Sequence, residues 1–211
     1  RKASIQYLDG GVSTYLFLAK MGLGKHRFRE FILVAYQTNS SNFESMGGIL
    51  GLSFPALAVN ENPNFLNTLI NNKIIQHNVF GIKLSFKKPN TSFITFGQAD
   101  SSLLAAGASL LYYPIIDNEI QYKLALDGLF VGEYALSIFS GLLDTGNTCI
   151  SIPDIFTEEI LDSFNQGQNN CQFNVEPGNE NFQLLVCLIV DFNVLPTIRI
   201  RINNDEYQMP P

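Results

Sequence analysis

The sequence predicts a mainly β chain with short helices, and three observations carry that expectation. Short aliphatic and aromatic runs recur along its length, clusters of Gly, Asn, Asp and Pro punctuate them, and only two stretches have helical spacing. Many brief strands with one or two helices define the class.

From the amino terminus, Ser4-Ile5-Gln6-Tyr7 alternates, Asp9-Gly10-Gly11 reads as a hairpin turn, and residues 14–19 read as the returning strand. A strand is expected over 28–36. Gly48-Ile49-Leu50-Gly51-Leu52 is a short apolar run interrupted by Gly, suited to a strand in a tight space and ended by Phe54-Pro55. Phe65, Leu66, Leu69 and Ile70 recur at helical spacing and predict a helix over 64–75. Strands are expected again at 79–86, 92–96, 110–116, 121–126 and 129–132. Pro153, with Asp154, Glu158 and Glu159 close behind, starts a second helix over 153–161. Residues 184–190 and 197–202 read as the last strands, followed by a turn at Asn203-Asn204-Asp205-Glu206.

Composition excludes several functions. The chain of 211 residues can bury a substantial core. Its net charge of -6 and lack of a basic stripe argue against nucleic acid. Lys25-His26-Arg27-Phe28-Arg29, the densest basic stretch, reads as a solvated turn. No apolar run approaches the ~20 residues of a membrane helix, and nothing after Arg1 resembles a signal peptide. The two histidines, His26 and His77, lie far apart in sequence without ligand spacing, so no metal is expected. No Gly-flanked nucleophilic serine is visible, and Gly22-Leu23-Gly24-Lys25 reads as a hairpin turn rather than a phosphate loop. Of the three cysteines, Cys171 and Cys187 enclose a loop rich in Asn, Gln, Gly and Pro, where a bridge would restrain the unfolded chain. Cys149 reads as a buried small apolar residue. Asn39-Ser40-Ser41 and Asn90-Thr91-Ser92 are N-glycosylation sequons.

The chemistry concentrates in Leu142-Leu143-Asp144-Thr145-Gly146-Asn147-Thr148. An acid that leaves a buried strand and enters a Gly turn meets main-chain N–H groups and hydroxyls, which orient it and favour its charged form. By itself Asp-Thr-Gly is also simply a good turn tripeptide. Here it continues with Thr148-Cys149-Ile150-Ser151-Ile152-Pro153, and this stretch resembles the active-site turn of pepsin-like aspartic proteases. The resemblance runs outward in order. Ile5-Gln6-Tyr7 with Asp9-Gly10 is similar to the flap hairpin of that family, and Met46 to Pro55 to its Gly-Ile-Leu-Gly-Leu strand. Residues 64–75 resemble the helix after that strand. Residues 80–86 with Ile94-Thr95-Phe96-Gly97 resemble the inter-lobe strands, the Cys171 and Cys187 pair the carboxy-terminal disulfide, and Leu195-Pro196-Thr197-Ile198 with Tyr207 the strands beyond it.

That resemblance implies a bilobal pepsin-like fold, incomplete in this chain. Residues 1–98 would be part of the amino-terminal lobe with its flap, and 99–211 part of the carboxy-terminal lobe with the second Asp-Thr-Gly turn. The first Asp-Thr-Gly would lie before Arg1 and the final strands after Pro211. It implies an aspartic endopeptidase that needs no metal or organic cofactor, acts on peptides or proteins, is a monomer when full length, and follows the secretory route to a lysosome or vacuole or out of the cell. Asp144 would be the second catalytic aspartate, Gly146 would offer backbone to substrate, Asn147 and Thr148 would line the cleft or orient the acid, and Tyr7 would close over it. Three positions depart from the pattern: Leu8 for a flap Gly, Gly47 for an Asp, and Asn147 for a Thr or Ser whose hydroxyl reaches the carboxylate. Of these, Leu8 and Asn147 favour the alternative, a pepsin-like protein that binds peptides or proteins without cutting. A single-turn subunit that dimerises as retroviral proteases do fits poorly, because pieces of both lobes are present.

Overall fold

The structure, a computed structural model, describes residues 2–7, 10–38, 47–58, 63–85, 88–100, 104, 107–117, 120–147, 149–166, 169–176, 179–189 and 191–209. It is mainly β, and the chain divides into two compact units, Arg1–Leu111 and Tyr112–Pro211. No helix among the described residues is long and apolar enough to cross a membrane.

In the first unit, β1 (Lys2–Tyr7), β2 (Gly10–Leu23) and β3 (His26–Thr38) form an antiparallel sheet in that order. Tyr7 pairs with Gly10, and the connecting Leu8 and Asp9 lie outside the described residues. At the other end Leu23 pairs with His26 across Gly24-Lys25, and Gly24 takes φ +55°, the left-handed conformation a two-residue hairpin turn requires. The predicted strands are therefore extended by the ladder at both ends. Of the basic stretch only Lys25 lies in the turn, after Gly24; Phe28 is buried in β3.

Phe28 meets the ring of Phe65 at 6.2 Å, and Phe65 meets Phe96 edge-on at 5.5 Å. These rings join the sheet to α1 (Phe65–Asn71) and β5 (Phe93–Phe96), which pairs with β4 (Phe80–Lys83). Asn64 caps α1 by accepting from the Asn67 N–H at 2.9 Å. The helix stops short of the expected 75 because Lys73 turns left-handed at φ +56°. Its N–H then reaches the Ile70 carbonyl, and that of Ile74 the Leu69 carbonyl, which is a Schellman closure. The strand expected at Gly48–Leu52 is not formed, and Ile49 and Leu50 are about half exposed. Two glycines in a five-residue run leave few side chains to pack against a ladder neighbour.

In the second unit, β7 (Gly128–Val131), β8 (Tyr134–Leu136), β12 (Ile198–Ile202) and β13 (Asp205–Met209) form a sheet of order β13-β12-β7-β8. Its inner face gives Leu129, Val131 and Leu136 to a core completed by Phe156 and by Ile160 of α2 (Thr157–Phe164), with Ile198 and Ile200 against it. A 3-10 turn, Asp154–Phe156, precedes α2 and begins at Pro153, where the sequence places the helix start. The Ser163 hydroxyl donates to the Val131 carbonyl at 3.2 Å. Gly132, at φ +59°, is required there, since a Cβ would lie 2.5 Å from the Ser163 oxygen. The alternation Ile198-Arg199-Ile200-Arg201 sends the arginines to the other face, where both guanidiniums lie within 5.0 Å of the Phe130 ring centre. Asn203 and Asn204 both take positive φ, the two-residue turn that joins β12 to β13.

Two short strands, β6 (Lys123–Ala125) and β9 (Ser140–Leu142), pair antiparallel. Of the strand expected at 110–116, only a bridge between Ile115 and Leu124 exists. Tyr113 is instead held by side chains: its hydroxyl donates to Asp205 at 2.7 Å and lies 2.5 Å from that of Tyr207. The loop between the cysteines proves to be a hairpin of β10 (Asn170–Glu176) and β11 (Asn179–Leu188), on which Cys171 and Cys187 stand opposite each other and are bonded, with Cα atoms 4.0 Å apart.

Two expectations follow from this packing. The bridge closes a separation of 16 residues, for which chain entropy gives about 3 kcal/mol; Cys187→Ser should lower the denaturant midpoint of the second unit accordingly, and an unchanged midpoint would show that the hairpin carries itself. The second concerns Glu206, whose carboxyl is held below its ordinary range, first by the Gln208 amide and then by Arg201 at 2.8 Å. A depressed folded value means this contribution is present above the unfolded carboxyl pKa and is lost as pH falls through the folded one. Gln208→Leu should therefore raise the Glu206 midpoint in an NMR titration.

Candidate functional site

The acidic turn begins where the β6–β9 ladder ends. Lys123 pairs with Leu142, and the Leu143 N–H donates to the Tyr122 carbonyl at 3.0 Å, so Asp144 is the first residue off the ladder. Its side chain is exposed and folds back on its own turn. The Gly146 N–H donates to Asp144 Oδ1 at 2.8 Å, and the Asn147 N–H closes the turn on the Asp144 carbonyl at 3.3 Å. Only a residue without a side chain permits this approach comfortably, since a Cβ at 146 would stand 3.1 Å from Oδ1. Asp144 Oδ2 makes no hydrogen bond among the described residues.

Asn147 does not reach the carboxylate. Its Nδ2 donates to Ser151 Oγ at 2.9 Å and its Oδ1 accepts from the Cys149 N–H at 3.4 Å. It thus fastens the turn to the segment leading to Ile152, which packs against the core, and to Pro153. The turn is suspended between a ladder on one side and the core on the other.

Of the residues singled out from sequence, Asp144, Gly146 and Asn147 come together in this turn. Thr148 lies outside the described residues. Tyr7 ends β1 in the other unit, with its backbone paired to Gly10, and nothing further is described of its side chain. Two expectations are corrected. Leu142 and Leu143 are 48% and 64% exposed rather than buried, and Cys149, which takes no part in a disulfide, is exposed. Both stand at the end of a two-stranded ladder too small to cover them. Sequence reading passed over Tyr122, whose carbonyl anchors Leu143 and whose phenol burial pushes up; its only signal is the polar alternation Gln121-Tyr122-Lys123. A shallow recess on the β10–β11 hairpin, lined by Asn170, Gln172, Val186, Cys187 and Leu188, includes no residue of the turn.

Chemically, an exposed carboxylate with one oxygen held by an N–H and the other open can bind a water or share a proton. Comparison with known proteins gives this arrangement a context. The family model for eukaryotic aspartyl proteases matches residues 1–211. The chain is 28% identical to rhizopuspepsin-4 of Rhizopus niveus, over 90% of this chain and 49% of that protein. It is 23% identical to pepsin A of Rhinolophus ferrumequinum, over all of this chain and 53% of that one. With human gastricsin the identity is 22%, over 80% of this chain and 41% of the relative. The chain thus spans about half, or less, of the length of these relatives.

The role of Asn147 can be measured apart from any activity. Asn147→Ala removes both side-chain bonds, at a cost of about 1 kcal/mol for each, and should speed amide exchange at Cys149 while leaving exchange in β12 unchanged. Unaltered exchange at Cys149 would mean that the backbone holds the turn without its help.

Proposed function

The chain belongs to the eukaryotic aspartyl protease family, and from that premise we propose that it supplies the second catalytic aspartate, Asp144, of an aspartic endopeptidase that hydrolyses peptide bonds of proteins. The observation that carries this reading is the Asp144 carboxylate, exposed at a strand end and oriented by the Gly146 N–H at 2.8 Å.

Two carboxylates held close together cannot easily both ionise, so one keeps a proton and the other acts as base, as is established for aspartic proteases. On this reading Asp144 faces a partner aspartate from the first Asp-Thr-Gly turn of the parent protein. The pair binds a water; the base takes its proton as the oxygen attacks the scissile carbonyl carbon, and the acid protonates the carbonyl oxygen. Return of a proton to the amide nitrogen then lets the C–N bond break. Gly146 offers backbone to the substrate, Thr148 and Asn147 line the cleft, and Tyr7 closes over it. The bridge between Cys171 and Cys187 supports a secretory route, ending in a lysosome or vacuole or outside the cell. A second reading, a non-cutting peptide binder, is favoured by one observation: the Asn147 amide is spent on Ser151 and Cys149 rather than on the carboxylate.

The decisive experiment uses the full-length parent and Asp144→Asn. The parent should cleave an unfolded protein, and the variant should lose about a thousandfold or more of that activity. The 211-residue chain alone should not cleave. Cleavage that survives Asp144→Asn would sink the assignment, and peptide binding without cleavage by the parent would select the second reading.

A further inference from the structure

The chemistry of the acidic turn leaves the sequons without a role. Asn39 lies outside the described residues, but the other sequon is well placed. Pro89–Thr91 forms a single 3-10 turn at the tip of the β4–β5 hairpin, and Asn90, Thr91 and Ser92 are all exposed. We propose that Asn90 is an N-glycosylation site, its carboxamide carrying an oligosaccharide added on the secretory route.

Three observations support it beyond the tripeptide. First, the Asn90 carboxamide makes no hydrogen bond among the described residues, so a substituent on Nδ2 removes nothing from the fold. Other asparagines differ: Asn64 caps α1, Asn147 ties the acidic turn, and Asn165 accepts from the Cys171 N–H. Second, the turn is held by its neighbours. The Thr91 hydroxyl donates to the Lys88 carbonyl at 2.8 Å, and the Ser85 N–H donates to Ser92 Oγ at 2.9 Å. Third, the bridge between Cys171 and Cys187 calls for an oxidising compartment, which in a eukaryote is the one where such transfer takes place.

The covalent step uses a lipid-pyrophosphate-linked oligosaccharide as donor. A bond forms from Asn90 Nδ2 to the anomeric carbon of the first sugar, and the bond from that carbon to the pyrophosphate oxygen breaks. The lipid pyrophosphate leaves with the electron pair, and one Nδ2 proton is lost to a base. The Ser92 hydroxyl, which completes the acceptor tripeptide, is engaged by Ser85 once the hairpin closes. Transfer therefore belongs to the entering, still extended chain.

That timing makes the test independent of folding. The full chain, translated behind a cleavable secretory leader into microsomes from the endoplasmic reticulum, should yield an Asn90 peptide that carries a glycan and that an amidase converts to Asp. Asn90→Gln and Ser92→Ala should lose it, while Ser92→Thr keeps it. Imported, leader-cleaved chains with Asn90 unmodified, or a modification at Asn90 that survives Ser92→Ala, would overturn the proposal.

Discussion

The acidic turn depends on the burial of one helix. Phe156 and Ile160 have to leave water, and the face they find is the Leu129, Val131 and Leu136 surface of the β13-β12-β7-β8 sheet. At about 25 cal/mol for each Å² of apolar surface, large side chains such as these dominate the favourable terms. Because α2 begins thirteen positions beyond Asp144, seating it also seats Ile152 and Pro153, and they hold the downstream end of the turn. The upstream end is held by backbone hydrogen bonds to Tyr122 and β6. Neither anchor touches the carboxylate. Its position is a consequence of packing done elsewhere, which is how a residue with an exposed side chain acquires a defined orientation.

The same unit separates its polar interactions from its core with little waste. Arg199 and Arg201 lie over Phe130 on the outer face, and Arg201 meets its cross-strand partner Glu206 in the ion pair. In the first unit one group departs from this order. Glu30 is buried, with one carboxylate oxygen accepting from the Phe31 N–H and the other without a partner among the described residues. Buried polar atoms are ordinarily bonded, so this oxygen leaves a desolvation cost uncompensated.

Sequence legibility followed the range of the physics involved. The hairpin at Gly24-Lys25, the Pro153 helix start and the Asn203-Asn204 turn were readable because the deciding residues are neighbours in the chain. The lower bound of α1 was readable for the same reason, whereas its upper end was not: Lys73 adopts a conformation more usual for Gly, and nothing in its side chain announces that. β8 and β10 escaped notice because each is set by the strand it pairs with rather than by its own pattern: β8 by a two-residue turn back onto β7, and β10 by the disulfide-bonded hairpin with β11. In the acidic turn, the Asp-Thr-Gly tripeptide sufficed to foresee a carboxylate held by a main-chain N–H, which is the bond from Gly146 to Asp144. The actual bonding of Asn147 depends on where Ser151 falls in space, which local pattern does not specify.

The exposure that contradicted the reading of Leu142 and Leu143 also bears on the proposed chemistry. Leu142, Leu143 and Ile150, with Phe139 just upstream, expose large apolar surfaces within a few residues of Asp144. Exposed apolar side chains grouped along one stretch of chain are of the kind that mark interaction surfaces. A polypeptide is chemically suited to cover them, since its apolar side chains can take the leucines and its amides can meet the polar turn. A small polar ligand would leave the apolar surface wet, and a nucleic acid would meet an acid. On the reading proposed above, a peptide chain is the occupant whose chemistry meets both the apolar surface and the polar turn.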